Sequence, residues 1–479
     1  MSDKQTIQTS PDGDQVDRQI LAAREGIDSK PESMWAIYLR RFRKHNLGKV
    51  GFAILLILYF VALMADFLSP YTMTWTNKEK SYHPPSSINL MWENADGQSV
   101  FRPFTWELQL TNVAFKRYGI VPEDTIRAIS VEQRPGAREL RSVATQSNEA
   151  SRRSQILRDV ARHYRMDDDS PEMLEFEAQL AALEDMPGVD NIIRVPMGTV
   201  NVRGTDQARE IILVSGNKNF VGFFNQGVPY RFLGLFNSRM HFFGSSTGGY
   251  FMLGADSLGR DLLSRLMHGS RISLSVGVIG AAITFVIGLA FGGIAGFFGG
   301  AVDNILMRLA EIIIAIPSLY LLFALRAAFP PDLSSVEVYL WVVVILSMLG
   351  WATLSRIIRG LVLSIKTEDY VLAAKTMGLS NWKIIRKHVL PNTFSFTIVQ
   401  VTLSIPGFIL GESALSLLGL GITEPQSSWG LMLAVARNYR VVRDFPWILI
   451  PGFMIFLAIL AWNFFGDGIR DSVDPRSKH

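Results

Sequence analysis

The chain has 479 residues, 48% of them hydrophobic, with a mean hydropathy of +0.21, which is more apolar surface than a soluble domain of this length needs to bury. Its net charge of +4 and pI of about 9.1 would suit nucleic acid, but the basic residues cluster beside apolar runs rather than on one soluble face, which argues for membrane topology and against a nucleic-acid partner. The absence of cysteine excludes disulfides, thiolate metal sites and a cysteine nucleophile.

In chain order, residues 1–46 form a tail ending in Arg40, Arg41, Arg43, Lys44 and His45, a basic flank expected to stay in the cytoplasm. The apolar run Leu47–Leu68 then reads as a first transmembrane helix. A secretory signal is the rival reading, but the run starts late, is long, and lacks a small-x-small cleavage site before Asp66. Residues 69–250 read as an extracytoplasmic α+β insertion, too long to be a structureless loop. Pro84, Pro85, Asn94 and Gly97 mark its irregular entry, and Glu149–Met186 reads as one or two exposed helices broken near Ser170 and Pro171. Short apolar runs between Asn191 and Leu235 read as a few strands. A docking surface and a lid are both open for this insertion.

Residues 251–479 carry five further candidate spans. Ile272–Val302 is uncharged and holds Gly288, Gly292 and Gly296 on one helix face, a pattern that suits either close packing within the chain or a dimer seam. Ile312–Ala328 is short, bracketed by Glu311 and Arg326, and interrupted by Pro317. The others are Val336–Ser355, Thr393–Leu418 with Pro406 and Glu412 inside, and Pro446–Gly466 with Pro451 inside. Six crossings put both termini on one side, and Arg356, Arg359, Lys366, Lys375, Lys383, Arg386 and Lys387 after the fourth mark that side as cytoplasmic. Arg437, Arg440 and Arg443 then fall outside, in a loop whose Pro425, Trp429 and Trp447 suggest a re-entrant or interfacial path.

Between the fourth and fifth spans lies EDYVLAAKTMGLSNWKIIRKHVLPN, Glu368–Asn392. Thr367 is expected as N-cap, Glu368 and Asp369 complement the first turn, and Gly378 is placed to end the helix in a left-handed conformation. Tyr370, Ala373, Ala374 and Met377 share one face, with small residues at its centre. Ser380 is expected to cap a second helix, Asn381–Val389, that Pro391 stops. Either a partner's groove or the chain's own membrane helices could cover that face.

Chemistry of other kinds finds little support. There is no G-x-x-x-x-G-K-[ST] loop, the seven histidines show no H-E-x-x-H spacing, and Gly244–Gly248, although of the form G-x-S-x-G, reads as a loop around Ser246. No catalytic or metal-binding residue is expected. Glu311 and Glu412 are the acids at membrane level; both lie near predicted helix ends, where solvated or capping roles compete with a functional one.

The loop resembles the cytoplasmic "EAA" segment of ABC-importer permeases: Ala373, Ala374, Gly378, His388, Leu390, Pro391 and Asn392 match, while Leu372 stands where that motif has glutamate. Leu253–Gly277, Glu412–Leu433 and Trp462–Arg476 are similar to the peptide and nickel branch of these permeases, most of all to the C-type permease of oligopeptide and dipeptide importers. The resemblance implies an all-α polytopic protein with the six transmembrane helices of the type I importer permease fold. It further implies a coupling loop at about residues 364–392, no cofactor on this chain, and ATP and Mg on two partner ATPase subunits. A second permease subunit and an extracytoplasmic solute-binding protein would complete a system for peptides in the cytoplasmic (inner) membrane. Nickel chelates or another small solute remain alternative cargoes, and an ion-coupled secondary transporter is the more distant alternative.

Overall fold

The computed structural model describes residues 34–93, 99–112, 116–120, 125–130, 141–145, 156–162, 170–185, 192–202, 205–215, 218–245, 249–328, 330 and 333–473. Asn94, Gly97 and Ser246, and most of the N-terminal tail, lie outside the described residues.

A short helix, α1 (Met34–Phe42), precedes α2 (Asn46–Leu63), whose first turn is capped by His45 Nδ1 accepting from the Gly48 amide at 2.8 Å. After the single turn α3 (Ala65–Leu68) the chain enters the insertion. Its strands are β1 (Asn89–Glu93), β2 (Ser99–Trp106), β3 (Leu108–Asn112), β4 (Arg117–Ile120), β5 (Thr125–Ser130), β6 (Arg141–Thr145), β7 (Ile192–Val202), β8 (Thr205–Ser215), β9 (Lys218–Phe232) and β10 (Phe236–Ser245). They form sheets ordered β1-β2-β9-β10, β3-β4 and β6-β5-β8-β7, with every pairing antiparallel. Among the described residues the helical part is 156–162 and α4 (Pro171–Asp185), the latter starting at the expected Ser170–Pro171 point but burying Met173, Phe176 and Leu180 instead of standing exposed; the Ser170 hydroxyl accepts from the Met173 amide and Pro171 takes the first turn, where its missing N–H costs nothing. Six strands before residue 146 escape the sequence reading, because segments such as SVFRPFTW carry proline and charge inside a short, poorly alternating run.

The permease part contains α5 (Leu262–Phe298), α6 (Gly300–Ala315), α7 (Ser318–Ala327), α8 (Ser335–Ile365), α9 (Asp369–Thr376), α10 (Asn381–Ile384), α11 (Leu390–Leu417), α12 (Trp429–Leu433), α13 (Tyr439–Asp444) and α14 (Ile450–Val473). Among the described residues five helical runs are long and apolar enough to cross a membrane: Asn46–Leu63, Leu262–Phe298, Ser335–Ile365, Asn381–Leu417 and Pro446–Val473.

The expected third span, Ile312–Ala328, is not one helix. Pro317 forces its predecessor out of the helical region, and Ile316 is extended at φ −83°, ψ 126°, leaving two helices of 16 and 10 residues. The pair nevertheless has to return the chain across the bundle, because α5 and α8 run parallel. Gly288 packs on Leu354, Gly292 on Ser355 and Gly296 on Arg359, with both numbers rising together. Parallel neighbours need a crossing between them, and the roughly 26 residues of the broken pair supply about 39 Å of helix. Six crossings result, the third of them broken.

The three glycines serve packing inside the chain. A Cβ at Gly292 would lie 2.5 Å from the Ser355 carbonyl oxygen, and one at Gly296 2.8 Å from that of Arg359, so the two backbones touch. Ser347 Oγ adds a bond to Gly280 O at 3.2 Å across the same seam. A second close approach joins α2 to α14, where a Cβ on Gly48 would lie 2.9 Å from Gly468 Cα. That contact, and the Tyr38–Ser395 hydroxyl pair at 3.3 Å, place α1 and the end of α14 at the same end of the bundle as the start of α11.

Gly292→Val should lower the stability of the purified protein by about 1–3 kcal/mol through overpacking of the α5–α8 seam. Gly360→Ala, where a Cβ meets nothing within 4 Å, should be neutral or mildly stabilising. Thermal unfolding in one detergent checks both, and equal melting temperatures for the two variants would refute the seam.

Candidate functional site

The loop between α8 and α11 sits on a small core of its own. Val371 and Ala374 of α9 are buried with Leu354, Ile358 and Val362 of α8 and with Ile384 and Val389 beyond the turn, and Leu289, Phe297 and Leu390 pack against this group. Polar bonds tie the same parts together. Lys366 Nζ donates to Gly296 O at 3.1 Å, and Arg359 grips Asp303 at the start of α6 through two 2.6 Å bonds in bidentate geometry. Trp382 meets Phe298 edge-on at 5.8 Å. An eight-residue helix is marginal alone, so this foundation is what holds α9 in shape.

Its capping differs from the sequence reading at both ends. Glu368, not Thr367, is the N-cap residue, and it makes no side-chain cap bond; the Thr367 hydroxyl instead donates to Ser364 O at 2.8 Å and finishes α8. At the other end Gly378 has φ +79°, Leu379 N donates to Ala374 O and Gly378 N to Lys375 O. This is the Schellman arrangement, with Leu379 packed on the core beside Ala374. Ser380 occupies the next N-cap position through its backbone, accepting from Lys383 and Ile384 without a side-chain cap bond.

Pro391 does not stop the second helix. Residues Ile385–Val389 form a π-helical turn, with Leu390 N donating to Ile385 O, and the chain continues straight into α11 with Pro391 in its first turn. The wider turn gives the proline ring room that a regular i−4 geometry would deny it. Asn392 closes the assembly, its Nδ2 donating to His388 O at 2.7 Å and to the Tyr370 hydroxyl at 3.1 Å. Partial desolvation, helped by the nearby Glu368 carboxylate, holds the Tyr370 hydroxyl above its usual range.

The expected apolar stripe is therefore split. Ala374 is buried against α8, whereas Tyr370, Ala373 and Met377 are exposed, as are Leu372 and Trp382. The helix winds Ala374 a further 100° from Ala373, enough to carry it from the outer face to the inner one. Leu372, at the position where the resemblance leads one to expect glutamate, is an exposed apolar residue. Glu368, Asp369, Pro391 and Asn392 are exposed, and His388 is half-buried.

At the opposite end of the bundle, two stretches singled out in the sequence meet. Asp256, Arg260 and Arg265 from the first form a charged network with Glu424 from the second, with Arg260–Asp256 at 2.7 Å and Arg260–Glu424 at 2.9 Å. The segment after α11 folds back into the protein: Trp429 is fully buried, donates from Nε1 to Leu266 O and from its amide to Ser273 Oγ, both at 3.0 Å. Ser427–Met432 is the largely buried part of this loop, while Arg437, Arg440 and Arg443 stay exposed around it. Glu412 is neither solvated nor at a helix end. It is wholly buried and accepts from Ser416 Oγ at 2.7 Å, with Ser273 and Ser413 hydroxyls at 3.4 Å. Glu311 is exposed and pairs with Arg308. The role of Glu412 escaped the sequence reading, although the serines at 413 and 416 beside it were a signal.

Comparison with known proteins bears on the same parts. Residues 288–479 match the family model described as binding-protein-dependent transport system inner membrane component, and residues 33–85 match that of the N-terminal TM domain of oligopeptide transport permease C. The dipeptide transport system permease protein DppC of Bacillus subtilis is 43% identical over 223 residues, covering 47% of this chain and 68% of that protein. The oligopeptide transport system permease protein OppC of Haemophilus influenzae is 40% identical over 231 residues, covering 48% of this chain and 72% of that protein.

Gly378→Val should destabilise the loop by about 1–2 kcal/mol, because the left-handed conformation and not crowding is at issue: a Cβ there meets nothing within 4 Å. Gly378→Asn should lose less, since asparagine tolerates that region. Hydrogen exchange at the Leu379 amide reads both; equal protection in the two variants would contradict the turn.

With five membrane-length helices, a third crossing broken at proline, and matches on either side of the insertion, the chain belongs to the family of inner membrane components of binding-protein-dependent transport systems.

Proposed function

We propose that this chain is one of two permease subunits of an ATP-driven importer of peptides, and that α9 is its coupling helix. The carrying observation is the outer face of the 364–392 loop: Tyr370, Leu372, Ala373, Met377 and Trp382 stand exposed on a segment fastened underneath to α5, α8 and α11. A small residue flanked by exposed apolar ones suits a groove that approaches closely at Ala373 and gains contact area around it. In this reading the groove belongs to an ATPase subunit, ATP and Mg are held by two such subunits, and this chain carries no cofactor. The loop and both termini face the cytoplasm, in keeping with the lysines and arginines of the loop, and the insertion lies outside, where a solute-binding protein delivers cargo.

Peptide as cargo is supported by the names of the relatives, which are dipeptide and oligopeptide permeases. Nickel chelates or other small solutes have no such support. Nor does ion coupling gain any from Glu412, whose carboxylate is sealed among hydroxyls.

Ala373→Arg is expected to cut co-purification of the ATPase subunits and peptide-stimulated ATP hydrolysis at least tenfold while leaving yield and melting temperature unchanged. Ala374→Arg, which forces a charge into the buried contact with α8, should lower the melting temperature itself. If Ala373→Arg retains both co-purification and ATPase activity, α9 is not the coupling helix.

A further inference from the structure

The insertion ends in the β9–β10 hairpin, and this hairpin points back at the membrane. Three contacts with the chain leaving α2 show its direction. Gly244, near the base, lies against Pro70, a Cβ there standing 3.5 Å from the Pro70 side chain. Further along, His241 Nδ1 bonds to Ser69 O at 2.6 Å. At the turn, Leu233 N donates to Asp66 Oδ2 at 3.1 Å. Base to tip, the hairpin therefore descends from residue 70 to residue 66, toward the span.

A second span marks the same level. Arg271, the last charged residue before the uncharged stretch of α5, binds Asp66 and also reaches the final carbonyls of α2, with Nε to Ala62 O at 2.6 Å and a terminal nitrogen to Leu63 O at 3.0 Å. Tyr230 and Arg231 of the hairpin line one cleft with Arg271 and Ile272. The tip thus reaches the height at which both spans turn apolar.

What it presents there is R-F-L-G-L-F-N-S-R, residues 231–239. Leu233 and Gly234 adopt φ +49° and +75° in the tight turn, and Leu235 and Phe236 project from it, 75% and 68% exposed. Arg231 and Arg239 flank them, both exposed. Behind the tip, Phe67 packs on Phe224 and Phe242, at 6.4 and 5.9 Å, and Phe223 and Phe224 are themselves exposed. Apolar side chains at a tip, aromatic rings behind it and arginines at its shoulders match the layers of a membrane surface from acyl boundary to phosphate.

We infer that the β9–β10 tip is a lipid anchor: Leu233, Leu235 and Phe236 enter the acyl boundary of the leaflet on the insertion side while Arg231 and Arg239 meet lipid phosphates. This is independent of the cargo and of the ATPase contact. It gives the insertion a second point of attachment, so that it sits on the bilayer instead of hanging from the ends of α2 and α5 alone.

The chain has no cysteine, so Leu235→Cys offers a single site for a nitroxide label. The assembled transporter would be reconstituted in bilayers of phosphatidylethanolamine with phosphatidylglycerol, and collision with oxygen compared with collision with a water-soluble nickel chelate. Ser87→Cys, exposed elsewhere in the insertion, serves as the water-facing control, and Phe236→Cys as a second probe at the tip. The anchor predicts an oxygen-to-nickel collision ratio severalfold above the control at both tip sites. A ratio equal to the control would place the tip in water and overturn the inference. Loss of collisions with both reagents would mean that protein covers the tip, and would overturn it equally.

Discussion

The contact on which the rest of the molecule depends is the one between α5 and α8, where Gly288, Gly292 and Gly296 let two helices run side by side with their backbones touching. Inside a bilayer the hydrophobic effect does not draw helices together, because lipid is as apolar as leucine; close packing and buried hydrogen bonds have to do so. Because the two helices are parallel, the chain between them must cross back, and it does so as a broken pair. Because the seam extends to Gly296, the end of α8 lies beside the end of α5, and the loop that follows inherits both as its base.

This arrangement makes the loop a rigid fitting and not a tether. Val371 and Ala374 on the inner face of α9 are buried against α8, the Schellman turn fixes its exit, the π-helical turn carries the chain past Pro391 without a break, and Asn392 ties the start of α11 back to Tyr370. Under the proposed coupling, a push on the outer face of α9 bears directly on the three spans that its base touches. At the far end, the network of Asp256, Arg260, Arg265 and Glu424, with Trp429 and Glu412 below it, joins α5 to α11 again. The spans are thus coupled at both ends, which suits a part that rocks as a unit under an external drive.

Much of this is legible in the sequence, and what is not has physical reasons. Runs of uncharged residues reveal the spans because lipid tolerates little else, and Gly378 reveals its turn because glycine adopts the left-handed conformation at φ +79° without steric cost just where the helical pattern ends. The inner and outer edges of α9 are not separable by spacing alone: Ala373 and Ala374 are identical in chemistry, and only the position of α8 decides which is covered. Pro391 misleads because the rule that proline ends a helix assumes the regular hydrogen-bond ladder, which a π-helical turn evades. Glu412 misleads because its partners come from α5 and from its own helix, and the former is 139 residues away in sequence. Strands before residue 146 are hidden by prolines and charges, and their pairing with β8 and β9 is long-range.

The central claim is that the loop moves with the ends of α5 and α8 as one body. Spin labels at Met377→Cys and Val302→Cys, both exposed, would report the distance between the outer face of the loop and the segment just past α5 in the assembled transporter, without nucleotide and with ATP trapped. A single narrow distance, the same in both states, is the expected result. A broad distribution, or a shift on binding ATP, would mean that the loop flexes on its base and that the force is taken up before it reaches the spans.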